Sequence, residues 1–243
     1  YPMALKGAQV QPYRVSNTLS QGDVEYVLVD LYLEQRRGSR RDHYLSNRVV
    51  TQRITGVNEK IRLKAAVSDE GVFCADSCNY LMGTTELSVY LLCGLLNSSV
   101  LNWAFRKFST NSNVNSYEVH NLPIPRRRNN ADLIDILSRM VMDSEICEFR
   151  HSEGLIKVID WLVLEMYFAN AEEVVDGSLG KLVHKDLERE MGESDYVNLS
   201  LDERRQLAKR LADLWLSDDG IVSKRLAARV FDINECFNNI LSM

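Results

Sequence analysis

The spacing of apolar residues changes character once, near Asn130, and this limits the fold more than any motif does. Beyond that point, segments 131–149, 153–168, 179–191, 201–216 and 223–231 carry apolar residues three and four apart, the signature of helices with one buried face. Ser200, followed by Asp202 and Glu203, marks one helix start, because a serine oxygen caps free amides and acidic first-turn residues suit the helix dipole. Before Asn130 the pattern is mixed. Residues 24–33 are almost continuously apolar, with β-branched and aromatic side chains, which predicts a buried strand, and 48–55 predicts a shorter one. Residues 61–67 alternate, putting Ile61, Leu63, Ala65 and Val67 on one face and Arg62 and Lys64 on the other. Ser68-Asp69-Glu70-Gly71 reads as a turn that brings 71–74 back as an antiparallel partner. Helical spacing returns over 86–108, with a break at Asn97-Ser98-Ser99. The Asn- and Ser-rich stretch 109–116 predicts an exposed loop, and 117–125, with Pro123 and Pro125, an extended exit. The expected fold is α+β: a mixed α/β domain over 1–128, then an all-helical domain over 129–243.

The formal charge of −5 conceals a division at the same place. Residues 1–128 hold 16 Lys and Arg against 11 Asp and Glu, a net +5; residues 129–243 hold 13 against 23, a net −10. A surface that meets phosphate therefore belongs to the first half. The five cysteines, odd in number and set in apolar stretches, read as reduced thiols of a cytoplasmic protein, and the Cys74/Cys78 pair has no second pair at zinc-ligand spacing. No apolar run reaches the roughly 20 residues of a membrane span. The chain opens Tyr1-Pro2-Met3 with an element already under way at Leu5, and reads as a segment of a longer polypeptide.

Catalytic signatures are missing from the sequence. No glycine-rich run ends in Gly-Lys-Ser or Gly-Lys-Thr, and the twelve glycines include no Gly-x-Gly turn of the kind that cradles a dinucleotide or S-adenosylmethionine. The four prolines include no adjacent pair, so the Pro-Pro-aromatic turn that grips a flipped base in amino-methyltransferases is also lacking. The acidic residues show no strand context that would align them on a divalent metal, and His43, His120, His151 and His184 are isolated. No catalytic residue, metal or cofactor is expected on this chain.

The informative constellation is Arg36-Arg37-Gly38-Ser39-Arg40-Arg41, four arginines around a glycine directly after an apolar run. A guanidinium meets phosphate as a charge and guanine as a bidentate fork, so such a loop either positions or specifies; a solvated hairpin tip has the same composition. Arg53, Arg62, Lys64, Arg106 and Lys107 add basic groups. Asn111 and Asn113 offer amides of the kind that pair with adenine, although asparagines also simply form turns.

Several segments carry a resemblance in their order and spacing: Leu5-Lys6-Gly7 with Tyr13, the stretch 46–55, Phe73-Cys74-Ala75-Asp76-Ser77-Cys78-Asn79-Tyr80-Leu81, residues 90–103, and Asn121-Leu122-Pro123-Ile124-Pro125. Together they resemble the TaqI-like C-terminal specificity domain, the target-recognition part of adenine-N6 DNA methyltransferases and fused restriction-modification enzymes. The resemblance implies a double-stranded DNA partner, a bacterial or archaeal cytoplasm, and a separate N-terminal methyltransferase domain that binds S-adenosylmethionine. Residues 159–167 resemble the helical tail that follows such domains in fused enzymes. Candidate DNA-contacting residues on this reading are Lys6, Tyr13, Arg14, Arg36, Arg37, Arg40, Arg41, Arg53, Lys64, Lys107, Asn111 and Asn113. Two other readings compete. A scaffold acting through its acidic helices predicts no DNA binding, and a divergent nuclease predicts metal-dependent cleavage.

Overall fold

The β-branched run Val49-Val50-Thr51 makes strand β5 (Arg48–Gln52) the centre of its sheet, because such side chains pack well on both faces of a pleat. In this computed structural model β5 pairs antiparallel with β6 (Ala65–Ser68) on one side and β8 (Cys78–Met82) on the other, with Val50 opposite Ala66 and Tyr80. A second small sheet sets β1 (Met3–Leu5) between β4 (Glu25–Tyr26) and β7 (Phe73–Cys74), and β2 (Val10–Gln11) forms a hairpin with β3 (Arg14–Val15). The structure describes residues 2–19, 22–38, 40–125, 129–144, 149–168, 178–192, 194–217, 220 and 222–224. The chain divides into two compact units, Tyr1–Arg126 and Arg127–Met243, and its class is α+β.

In the first unit the helical stretch breaks where expected. Helix α2 (Val89–Asn97) starts at Ser88, whose side chain accepts from the Leu91 amide, and α3 (Ser99–Phe108) starts at Ser98, which accepts from Leu101. Helix α2 packs against β5 and β6. The core beneath holds Leu5, Val10, Val50, Ala66 and Cys78.

Four sequence expectations are corrected. Residues 24–33 are not a buried strand: only Glu25 and Tyr26 pair, and a short helix α1 (Val29–Gln35) follows with no buried residue, Leu28 and Leu31 lying exposed. A short apolar run is ambiguous between strand and helix, and here the edge of a two-residue ladder leaves nothing to pair with. Residues 61–64 are not strand either. The amides of Arg62 and Leu63 donate to the Asn102 side chain at 2.8 Å each, so a helix asparagine takes the place of a neighbouring strand, and Arg62 turns inward. Strand β7 runs parallel to β1 rather than back along β6, the Gly71 amide having donated to the Tyr44 carbonyl. Residues 117–125 are not extended throughout: Ser116–His120 form α4, capped by Asn115 and Glu118 in a reciprocal box, and the chain extends only after Asn121.

The second unit is helical: α5 (Ala131–Ser144), α6 (Phe149–Tyr167), α7 (Leu179–Met191) and α8 (Leu201–Leu216). Ile134, Leu137, Val158, Leu162, Leu211 and Trp215 are among its buried side chains. Ser200 caps α8 as expected, in a box with Glu203. The buried Glu165 carboxylate accepts from Trp161 Nε1, Ser178 Oγ and the Leu179 and Gly180 amides, closing the N-terminus of α7 onto α6. The helix expected over 223–231 lies outside the described residues except at its first two positions.

Candidate nucleic-acid interface

Helix α1 feeds directly into the arginine loop. Gly38 adopts a left-handed φ of 92°, and the Arg41 amide turns back to the Gly38 carbonyl at 3.1 Å, so the chain doubles over and spreads its guanidinium groups. Arg36, Arg37, Arg40 and Arg41 are exposed and border one cleft of about 430 Å³. Its apolar side is an aromatic cluster: Phe73 stacks on Tyr44 with centroids 4.5 Å apart and takes the edge of Tyr32 at 4.8 Å. A fifth arginine, Arg48, is only 3 % exposed and also lines the cleft. Its guanidinium lies 4.9 Å from the centroid of Tyr80, its Nη2 donates to the Val72 carbonyl, and its Nε has no partner. Among the described residues no aspartate or glutamate lines the cleft, and none of the five arginines forms an ion pair.

A second constellation is built around Arg62, which is 1 % exposed. Its Nη1 donates to the Ser109 carbonyl at 3.0 Å and to Ser109 Oγ, its Nη2 donates to the Asn111 carbonyl, and its face lies on Phe105. Burial pushes this guanidinium below its ordinary range, opposed by the Glu118 carboxylate. The loop after α3 is thereby tied from within. It is also tied across: the Val114 amide donates to the Arg53 carbonyl, and Asn79 Nδ2 to the Val114 carbonyl. Asn113 and Asn111 remain exposed, but differently employed. The Asn111 Oδ1 accepts from the Asn113 amide at 3.0 Å, whereas the Asn113 side chain bonds to no described residue.

The other expected contacts are scattered. Tyr13 is a correction: at 2 % exposure it belongs to the core, held at φ 62° in the β2–β3 turn, where its backbone N–H donates a hydrogen bond to the Ala65 carbonyl. Lys6 is bound to Glu25 at 2.7 Å and to the Asp23 carbonyl. Lys64 pairs with Glu59 at 2.6 Å, and that contact, with the Gly56 amide, holds the Glu59 carboxyl below its usual range. Lys107 lies over the Trp103 ring, Arg53 donates to the Asp76 carbonyl, and Arg14 is exposed on β3. Arg48 and the ring cluster escaped sequence reasoning, since an arginine at the start of a buried strand carries no local sign that it will face a cleft. Burial pushes the Cys74 thiol, on the same wall, upward. Among the described residues no group of three His, Cys, Asp or Glu is placed to hold a metal ion, and no helix is long and apolar enough to cross a membrane.

Residues 2–124 match the TaqI-like C-terminal specificity domain, just over half of the chain, and the chain belongs to that family. Its role is therefore DNA recognition in restriction-modification proteins. Among curated proteins none matches the chain. The sheets of the first unit are small and, among the described strands, only β1 and β7 pair in parallel.

Proposed function

We propose that the first unit reads a short duplex sequence on behalf of an adenine-N6 DNA methyltransferase, with methyl transfer and S-adenosylmethionine held by a separate catalytic domain. The observation that carries this reading is the set of exposed arginines that line one cleft without a carboxylate partner among the described residues, on the unit that belongs to the specificity family. Phosphate contacts fix register and base contacts specify, and the two constellations divide along those lines. Among the described residues Arg37, Arg40 and Arg41 have no partner and Arg36 only the Tyr32 ring, so all four can meet phosphate. Asn113, on a loop fixed from both sides, presents an amide with both donor and acceptor uncommitted, the requirement for bidentate pairing with adenine N6 and N7.

The test is fluorescence-anisotropy titration of the chain against random-sequence duplexes at low and moderate salt, with sequencing of the retained fraction. Salt-sensitive binding with one enriched motif is the expected result. Absence of binding at both salts overturns the reading and moves the function to the acidic helices.

A further inference from the structure

We propose that the cleft between the arginine loop and strands β5, β7 and β8 is a discrete phosphate site, with Arg48 as its floor. For the source of that phosphate the inference rests on the DNA-recognition reading. A diffuse basic surface steers a duplex without any enclosed geometry, and four exposed arginines would suffice for it. The cleft has more than this. Arg48 is buried without a carboxylate partner among the described residues; the Tyr80 ring and the Val72 carbonyl meet its charge in part, and an anion in the cleft would complete the compensation. Of its donors, Nη2 is spent on the Val72 carbonyl, and Nε is buried with no acceptor among the described residues. The rings of Tyr44 and Phe73 wall one side, lowering the local dielectric and strengthening any anion bond made there. Arg40 and Arg41 line the same cleft as Arg48, so three guanidinium groups border one space, and such groups suit phosphate oxygens. At about 430 Å³ the cleft falls in the range of roughly 300–1,000 Å³ typical of small-ligand sites, ample for one phosphate and its sugar.

The chemistry shared by all candidate ligands is a phosphate group. It comes either from a phosphodiester inside a duplex or from the monoester at a DNA end. The test uses the intact chain. Calorimetric titration with pyrophosphate at low ionic strength should show one saturable site, and Arg48→Gln should weaken it by about tenfold or more, as loss of a charge-assisted bond predicts. If circular dichroism shows that Arg48→Gln does not fold, the exposed double variant Arg40→Gln, Arg41→Gln takes its place with the same expected loss. Cys74 lines the cleft, so pyrophosphate should also slow its alkylation, followed by peptide mass mapping. In a second arm, a covalently closed duplex is compared with linear duplexes bearing a 5′-phosphate or a 5′-hydroxyl. Weaker binding of the closed duplex by Arg48→Gln assigns the site to an internal phosphodiester; an effect confined to 5′-phosphorylated ends assigns it to the monoester. No saturable pyrophosphate binding and no protection of Cys74, with salt-sensitive duplex binding intact, overturns the phosphate site and leaves DNA recognition standing. Pyrophosphate binding without duplex binding does the reverse.

Discussion

The arginine loop and the asparagine loop sit on the same unit and are almost opposite in construction. Around Gly38 and residues 40–42 the chain is held by local turn bonds, such as the Arg41 amide to the Gly38 carbonyl, and the Arg37, Arg40 and Arg41 side chains have no partner among the described residues. Residues 109–115 are held by a buried guanidinium, by Asn79 and by the Asn115–Glu118 box, so that few of their backbone groups are left to local turns. Cationic side chains on a loosely tied backbone suit a repeating charge, whose position varies little with sequence. An amide that must meet two atoms of one base suits a backbone that cannot shift. On the proposed function, the first loop grips phosphate and the second reads a base.

The most damaging way to break it is Arg62→Leu. Removing the donors of the Ser109 and Asn111 carbonyls should cost about 3 kcal/mol of stability and expose the 109–113 amides to hydrogen exchange. A loss below about 1 kcal/mol by urea unfolding would mean that the loop holds itself. Asn113→Ala comes next. It should remove about 2 kcal/mol of discrimination at a single A·T pair, measured by competition with substituted duplexes, while Asn111→Ala, whose carbonyl already serves the loop, should change discrimination less. Equal effects at both positions would erase the distinction drawn between them.

Arg40→Ala with Arg41→Ala tests the gripping side. Affinity should fall several-fold for all sequences alike, and the slope of log affinity against log salt should drop by about 1 to 2, without change in the enriched motif. A changed motif would make these arginines readers. The smallest effect belongs to Lys6→Ala: with its charge already shared with Glu25, the salt slope should stay as it is and stability should change by no more than about 1 kcal/mol.

The helices after Asn130 and the break at Ser98 were legible because helix period and capping are local properties, carried by residues three and four apart. The arginine loop was legible as a concentration of charge, and its exposure follows from the cost of burying four cations. Strand pairing was not. The parallel partner of β7 lies some seventy positions earlier in the chain, at β1, and a stretch that alternates correctly at 61–64 was claimed by an asparagine from α3.

The division of labour between sequence and structure is sharpest in the arginines themselves. By sequence alone the chain was committed to an α+β fold, a basic first half and a helical, acidic second half, since composition and periodicity act over short distances. Arg36, Arg48 and Arg62 have the same side chain, yet one is exposed, one floors a cleft, and one is buried as the clamp of a loop. Only the tertiary structure decided among these, because burial and hydrogen-bond partners are set by residues far away in the chain and brought close by packing.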